Sequence, residues 1–147
     1  MTKRGIVRAI LAGVVSAAMT VLTAGPGQAV TAIAECGTVT MTLTYMGKKE
    51  DGTGTRVGIR LDVFVASEFG TAVDINAHVS YTGGDVDAPF AGFTPVGRGY
   101  IWEALVESSG STFTATASGD IKTSTAPPRS TPYCVILQLT GSTDTSY

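Results

Sequence analysis

Apolar and polar residues alternate along most of this chain, and that period of two limits what it can build. Val39, Met41, Leu43 and Tyr45 alternate with Thr38, Thr40, Thr42 and Thr44. Val57, Ile59, Leu61, Val63 and Val65 alternate with Arg56, Gly58, Arg60 and Asp62. Three further runs share the pattern: Val73, Ile75, Ala77, Val79 and Tyr81; Phe113, Ala115 and Ala117; Val135, Leu137 and Leu139. Successive side chains of a strand point to opposite faces, so each run describes a strand with one face in the core and one in water. Tyr100 to Glu107 is a less regular sixth candidate, with Tyr100, Trp102, Ala104 and Val106 inward and Glu103 and Glu107 outward beside Ile101 and Leu105. Asp51-Gly52 is a favoured hairpin turn. The expectation is an all-β domain, a single antiparallel β-sandwich or a small barrel.

The first 29 residues have a different character. Lys3, Arg4 and Arg8 precede a largely apolar stretch from Ala9 to Ala24, and Gly25, Pro26 and Gly27 then break it before Ala29. A basic start, a short apolar core and a small-residue exit read as a helical signal peptide. The apolar stretch is short for a membrane span, which needs about 20 residues. Cleavage is expected after Ala29, with Ala34 as the alternative. The domains are then 1–29, the signal peptide, and 30–147, a secreted β-domain with no stable membrane insertion. The Ala- and Gly-rich leader has a bacterial cast.

Removing the leader changes the charge. The chain carries −2, with ten Lys and Arg against twelve Asp and Glu. Three of the basic residues lie in the leader and none of the acidic ones do, which leaves −5. Such a balance disfavours nucleic acid, whose affinity comes mainly from neutralised phosphates. Cys36 and Cys134 are the two cysteines. In an exported chain such a pair reads as one disulfide, expected to tie the first strand of the domain to the last.

Immunoglobulin-like topology is among the sandwich options, because length and strand number suit it. The cysteines are too far apart for that family, Trp102 comes late, and Tyr133 precedes Cys134 by one residue where the family has two. No family is assigned on these residues.

Chemistry-bearing motifs are sparse. His78 is the single histidine, and it falls on the polar phase beside Asp74, Asn76 and Ser80. A catalytic triad needs a nucleophile and an orienting carboxylate, and no local signature frames a serine here. One histidine and an oxidised cysteine pair make a poor zinc set. Glu103 and Glu107 lie about 13 Å apart along a strand, long for a glycosidase pair. The threonine rows 38–44 and 112–116 would make flat hydroxyl faces, but threonine is an ordinary residue for a wet strand face. No catalytic residue, metal or cofactor is expected.

Thr82 to Gly99 reads as a long glycine-rich loop carrying Asp85, Asp87, Phe90 and Phe93, and it leads to Trp102. Loops on a rigid β-scaffold commonly carry binding groups. These five residues are the candidate ligand-binding set: the acids for a polar ligand, the aromatics for a sugar or a protein anchor, with Phe90 and Phe93 alternatively folding over the open end of the core. The expected function is a secreted, non-enzymatic β-domain that binds a protein or glycan or belongs to a cell surface. The alternatives are a carbohydrate-binding module and a small secreted hydrolase or hydrolase inhibitor.

Overall fold

A computed structural model describes residues 19–22, 27–109 and 112–144. Ten strands form two antiparallel sheets: β1 Met19–Leu22, β2 Gly27–Ala34, β3 Gly37–Lys48, β4 Thr55–Val65, β5 Ala72–Tyr81, β6 Gly84–Pro89, β7 Thr94–Val96, β8 Gly99–Ser108, β9 Thr112–Thr123 and β10 Tyr133–Asp144. The larger sheet has the order β1-β2-β3-β4-β8-β7 and the smaller β10-β9-β5-β6. Their inner faces share one core, a sandwich-like arrangement in which Met41, Leu43, Ile59 and Leu61 of one sheet meet Ile75, Phe113, Ile121 and Leu139 of the other. The period-two runs of β3, β4, β8 and β9 bury the phase read from sequence.

Two β-bulges break that reading elsewhere. β5 shifts register between Ala72 and Asp74, so Ala72 is buried and Val73 is turned out. β10 shifts between Ile136 and Leu139. There Cys134 and Ile136 face the core, Leu139 faces it beyond the bulge, and Val135 is 59% exposed. The extra residue of a bulge changes which phase faces inward. Alternation predicted Val73 and Val135 inside, and both are corrected; the side chain of Leu137 lies outside the described residues.

The second bulge also explains the disulfide. Cys36 and Cys134 are bonded, with Cα atoms 6.1 Å apart. Cys36 sits in the tight β2–β3 turn of the larger sheet and Cys134 starts β10 of the smaller. The bridge therefore crosses the sandwich instead of joining neighbouring strands of one sheet, and both cysteines are buried.

The expected loop Thr82–Gly99 is instead structured. It contains β6, a 3-10 turn at Phe90–Gly92, and β7. Val86 and Ala88 alternate with Asp85 and Asp87 in β6, a period too short to stand out among the glycines. The Lys48–Gly54 turn forms as predicted, with Lys49 N–H donating to Gly54 C=O at 2.8 Å. Asp51 Oδ1 accepts the N–H and hydroxyl of Thr53 at 3.0 and 2.7 Å. Those bonds, the backbone one first, hold the Asp51 carboxyl below its ordinary value.

Of the expected leader, residues 1–18 and 23–26 lie outside the described residues. Met19–Leu22 is an extended strand where a helix was expected, pairing with Ala29–Ala32 of β2. The β-branched Thr20 and Val21 suit that conformation. Expected cleavage after Ala29 falls within β2, just before Val30, Ala32 and Ala34, all of which are buried.

Candidate binding face

The outer face of the larger sheet is built by register. Ile33 of β2 lies opposite Thr38 of β3, Thr38 opposite Phe64 of β4, Phe64 opposite Gly99 of β8, and Gly99 opposite Val96 of β7. This row crosses five strands and ends the sheet with apolar side chains in water: Ile33 is 57%, Phe64 50% and Val96 54% exposed. Ile101, in the next row, is half-buried beside them. Scattered exposed hydrophobics are ordinary; Ile33, Phe64 and Val96 share one register row, separated by Thr38 and Gly99.

A polar belt follows. Thr31 and Thr40 hydroxyls bond at 2.9 Å. Arg60 Nε and an amino group donate to Asp62 at 3.0 and 3.1 Å. Glu103 lies 3.8 Å from the same guanidinium. The bond to Asp62 and the adjacent charges raise the Arg60 pKa. Beyond the belt, Gly58 has no side chain to fill the space between Thr44 and Leu105, its register partners. A shallow depression of about 500 Å³ results, walled by Met46, Leu105, Arg60 and Glu103. Glu107 points elsewhere, bound to Lys49 at 3.2 Å, so the two glutamates serve different cations.

The predicted set Asp85, Asp87, Phe90, Phe93 and Trp102 is divided by the sandwich. Phe93 and Trp102 are buried, and Phe90 is half-buried with its ring 5.9 Å from that of Tyr100. Gly92 lies against the Trp102 indole, where an added Cβ would come within 3.2 Å of Cδ1. These aromatics close the core and leave no exposed stacking platform. The Tyr100 hydroxyl accepts the Ala72 N–H at 3.0 Å, satisfying a buried donor at the β5 bulge.

Asp85 and Asp87 are on the opposite surface, the outer face of the smaller sheet. Asp87 Oδ1 is 2.7 Å from His78 Nδ1, and Asp85 Oδ2 is 3.7 Å from His78 Nε2. Both ring nitrogens face carboxylates and neither faces a serine hydroxyl. Among the described residues no group of three or more His, Cys, Asp or Glu is placed to hold a metal ion. The threonine rows also separate, 38–44 on the larger sheet and 112–116 on the smaller, where Thr116 and Thr140 hydroxyls bond at 2.9 Å.

On that smaller sheet the Tyr133 phenol is held above its ordinary value of 10.0, first by its hydrogen bond to Asp120, then by desolvation and the charges of Asp120 and Asp74. A raised folded-state pKa stabilises the fold below the unfolded value near 10 and loses that contribution as pH rises through the folded value. Tyrosinate absorbance, read as the difference from Tyr133→Phe, should show Tyr133 ionising late. Asp120→Asn should bring its midpoint back down, and an unchanged midpoint would contradict the assignment.

Sequence reasoning singled out none of Ile33, Phe64, Val96 and Met46, and it turned Leu105 outward without giving it a role. A signal was present: Phe64 and Leu105 stand on the polar phase of β4 and β8, between residues that belong inside. No model of a known protein family matches this chain, and no curated protein matches it.

Proposed function

We propose that this chain is an exported bacterial domain without enzymatic activity, and that the Ile33–Phe64–Val96 end of the larger sheet docks on a protein at the cell surface. The carrying observation is that apolar row, exposed on a sheet whose other side packs the core. Aliphatic and phenyl groups gain by leaving water against another protein, at roughly 25 cal/mol per Å² of apolar area. They offer a sugar few hydrogen bonds. The adjacent belt of Thr31, Thr40, Arg60 and Asp62 would form the polar rim usual around such a contact. The buried disulfide supports export, since such bonds persist in oxidising compartments. Among the described residues no helix is long and apolar enough to cross a membrane.

Burial supports Ala29 as the cleavage point. Cutting after Ala34 would strip Val30, Ala32 and Ala34 from the core. Val30 also packs on Gly141 of β10, where a Cβ would meet it at 3.4 Å. The mature chain is therefore taken to begin at Val30.

Cross-linking of the secreted protein to the envelope of the cells that export it tests the reading. Wild type should capture a discrete protein, and Phe64→Asp should lose it while keeping its melting temperature, because Phe64 faces out. Capture that is indifferent to Phe64→Asp would sink the proposed face. Binding to glycans instead, with no protein captured, would favour a carbohydrate-binding module.

A further inference from the structure

The four outer strands of the two sheets are unequal. β7 is three residues long and contains Pro95. β6 carries Asp85 and Asp87. β10 is bent by its bulge and lies against β2 and β3 of the other sheet. Short length, proline, charge and bulges are the usual protections of a sheet edge against pairing with another chain. The remaining edge is covered by β1, whose residues Met19–Leu22 pair with Ala29–Ala32. β1 belongs to the leader under the export reading, and cleavage after Ala29 removes it. The strand then uncovered, Val30-Thr31-Ala32-Ile33-Ala34, contains no charge and no proline.

We infer that leader removal opens the β2 edge and that two copies of the mature chain join there, β2 against β2, in an antiparallel two-fold contact. This inference rests on the export reading. The edge already accepts an antiparallel extended segment of its own chain, so its backbone groups are placed for one. A two-fold axis through Ala32 makes the strand complementary to itself: Val30 faces Ala34 of the second copy, Thr31 faces Ile33, and Ala32 faces Ala32. Such isologous contacts close and do not propagate into fibres. The charges agree with this register. Cleavage leaves an ammonium on Val30, and Ala34 of the second copy lies opposite it, next to Glu35. The new ammonium of each copy thus meets the Glu35 carboxylate of the other. The join also makes one continuous sheet of the two larger sheets and places both Ile33–Phe64–Val96 rows on one surface. Each copy brings −5 to the pair, so the contact is short, local and reversible.

The experiment uses the secreted product of the full-length gene. Mass spectrometry identifies its first residue, and sedimentation velocity over a concentration series reads its association. The expected result is a chain beginning at Val30 in a concentration-dependent monomer–dimer equilibrium, with amide exchange in Thr31–Ala34 slowed as dimer forms. Ile33→Lys should abolish the dimer and leave the fold intact, because Ile33 faces water and a lysine there protects an edge. Thr31→Lys repeats the test at a second outward position. A chain that begins at Val30 and stays monomeric would overturn the dimer and leave the export reading standing. A secreted chain that retains Met19–Leu22 would overturn cleavage after Ala29, and the open edge with it; no secreted product at all would overturn the export reading. A dimer that survives Ile33→Lys and Thr31→Lys but is lost in Phe64→Asp would assign association to the sheet face and overturn edge pairing.

Discussion

Removing the Cys36–Cys134 bridge is expected to cost the domain roughly 4–5 kcal/mol, because the bond closes a loop with a sequence separation of 98 residues. The chain-entropy argument assigns this to the unfolded state, which regains the freedom of nearly the whole domain. Native stabilities of about 5–15 kcal/mol make that a large share of the total. Position adds to it. The two cysteines are buried where the β2–β3 turn of one sheet meets the start of β10 in the other, so their loss also loosens the contact between sheets. Denaturant unfolding of the oxidised protein against the Cys36→Ala/Cys134→Ala double variant measures it. A midpoint that scarcely moves would show that packing between the sheets, and not the bridge, holds that corner.

Gly119→Ala should be strongly damaging for so small a substitution, at roughly 3–5 kcal/mol from backbone strain and overpacking together. Gly119 lies in the middle of β9 at φ +143°, a conformation that side chains rarely adopt. An added Cβ would collide with the Asn76 carbonyl oxygen of β5 and come within 2.8 Å of Ala77 Cα. Both obstacles are backbone in a paired strand, so neither can swing aside. Gly119 also pairs with Ile136, the last residue before the β10 bulge. A bulkier residue would therefore disturb β5 and β10 together. Thermal unfolding of Gly119→Ala beside Gly97→Ala gives the contrast, since nothing lies within 4 Å of a Cβ at Gly97. Gly97 sits at φ +60°, in the left-handed basin that L residues enter at a cost of about 1–2 kcal/mol, whereas Gly119 at +143° lies outside that basin and adds the collision. Equal losses would show that neither the conformation nor the close approach of β5 at Gly119 costs more than ordinary left-handed strain.

The candidate face was legible only in part. Phe64 and Leu105 break the alternation of β4 and β8, yet a single apolar residue on a wet face says little by itself. What makes Phe64 part of a surface is the register that brings Ile33 and Val96 into its row from strands 31 residues before and 32 after it. Phe93 and Trp102 went the other way. Their aromatic character and the glycines around Phe93 made them ligand candidates, yet alternation already turns Trp102 inward, and the 3-10 turn at Phe90–Gly92 folds that segment over the indole as a plug of the core.

By itself the sequence determined the all-β class, the inward phase of β3, β4, β8 and β9, the hairpin at Asp51-Gly52 and the pairing of the two cysteines. Those follow from local physics: side chains alternate on a pleated strand, Asp-Gly accepts the backbone of a tight turn, and two cysteines allow one intramolecular bridge. Tertiary structure decided the rest. The bulges in β5 and β10 reversed Val73 and Val135 because a one-residue register shift costs little locally and is chosen by the fit to neighbouring strands. The bridge spans two sheets because Cys134 follows the phase of that bulged strand. Asp85 and Asp87 parted from the aromatics because β6 sends its carboxylates to the outer face of the smaller sheet, while the turn after it folds Phe90 and Phe93 toward the core.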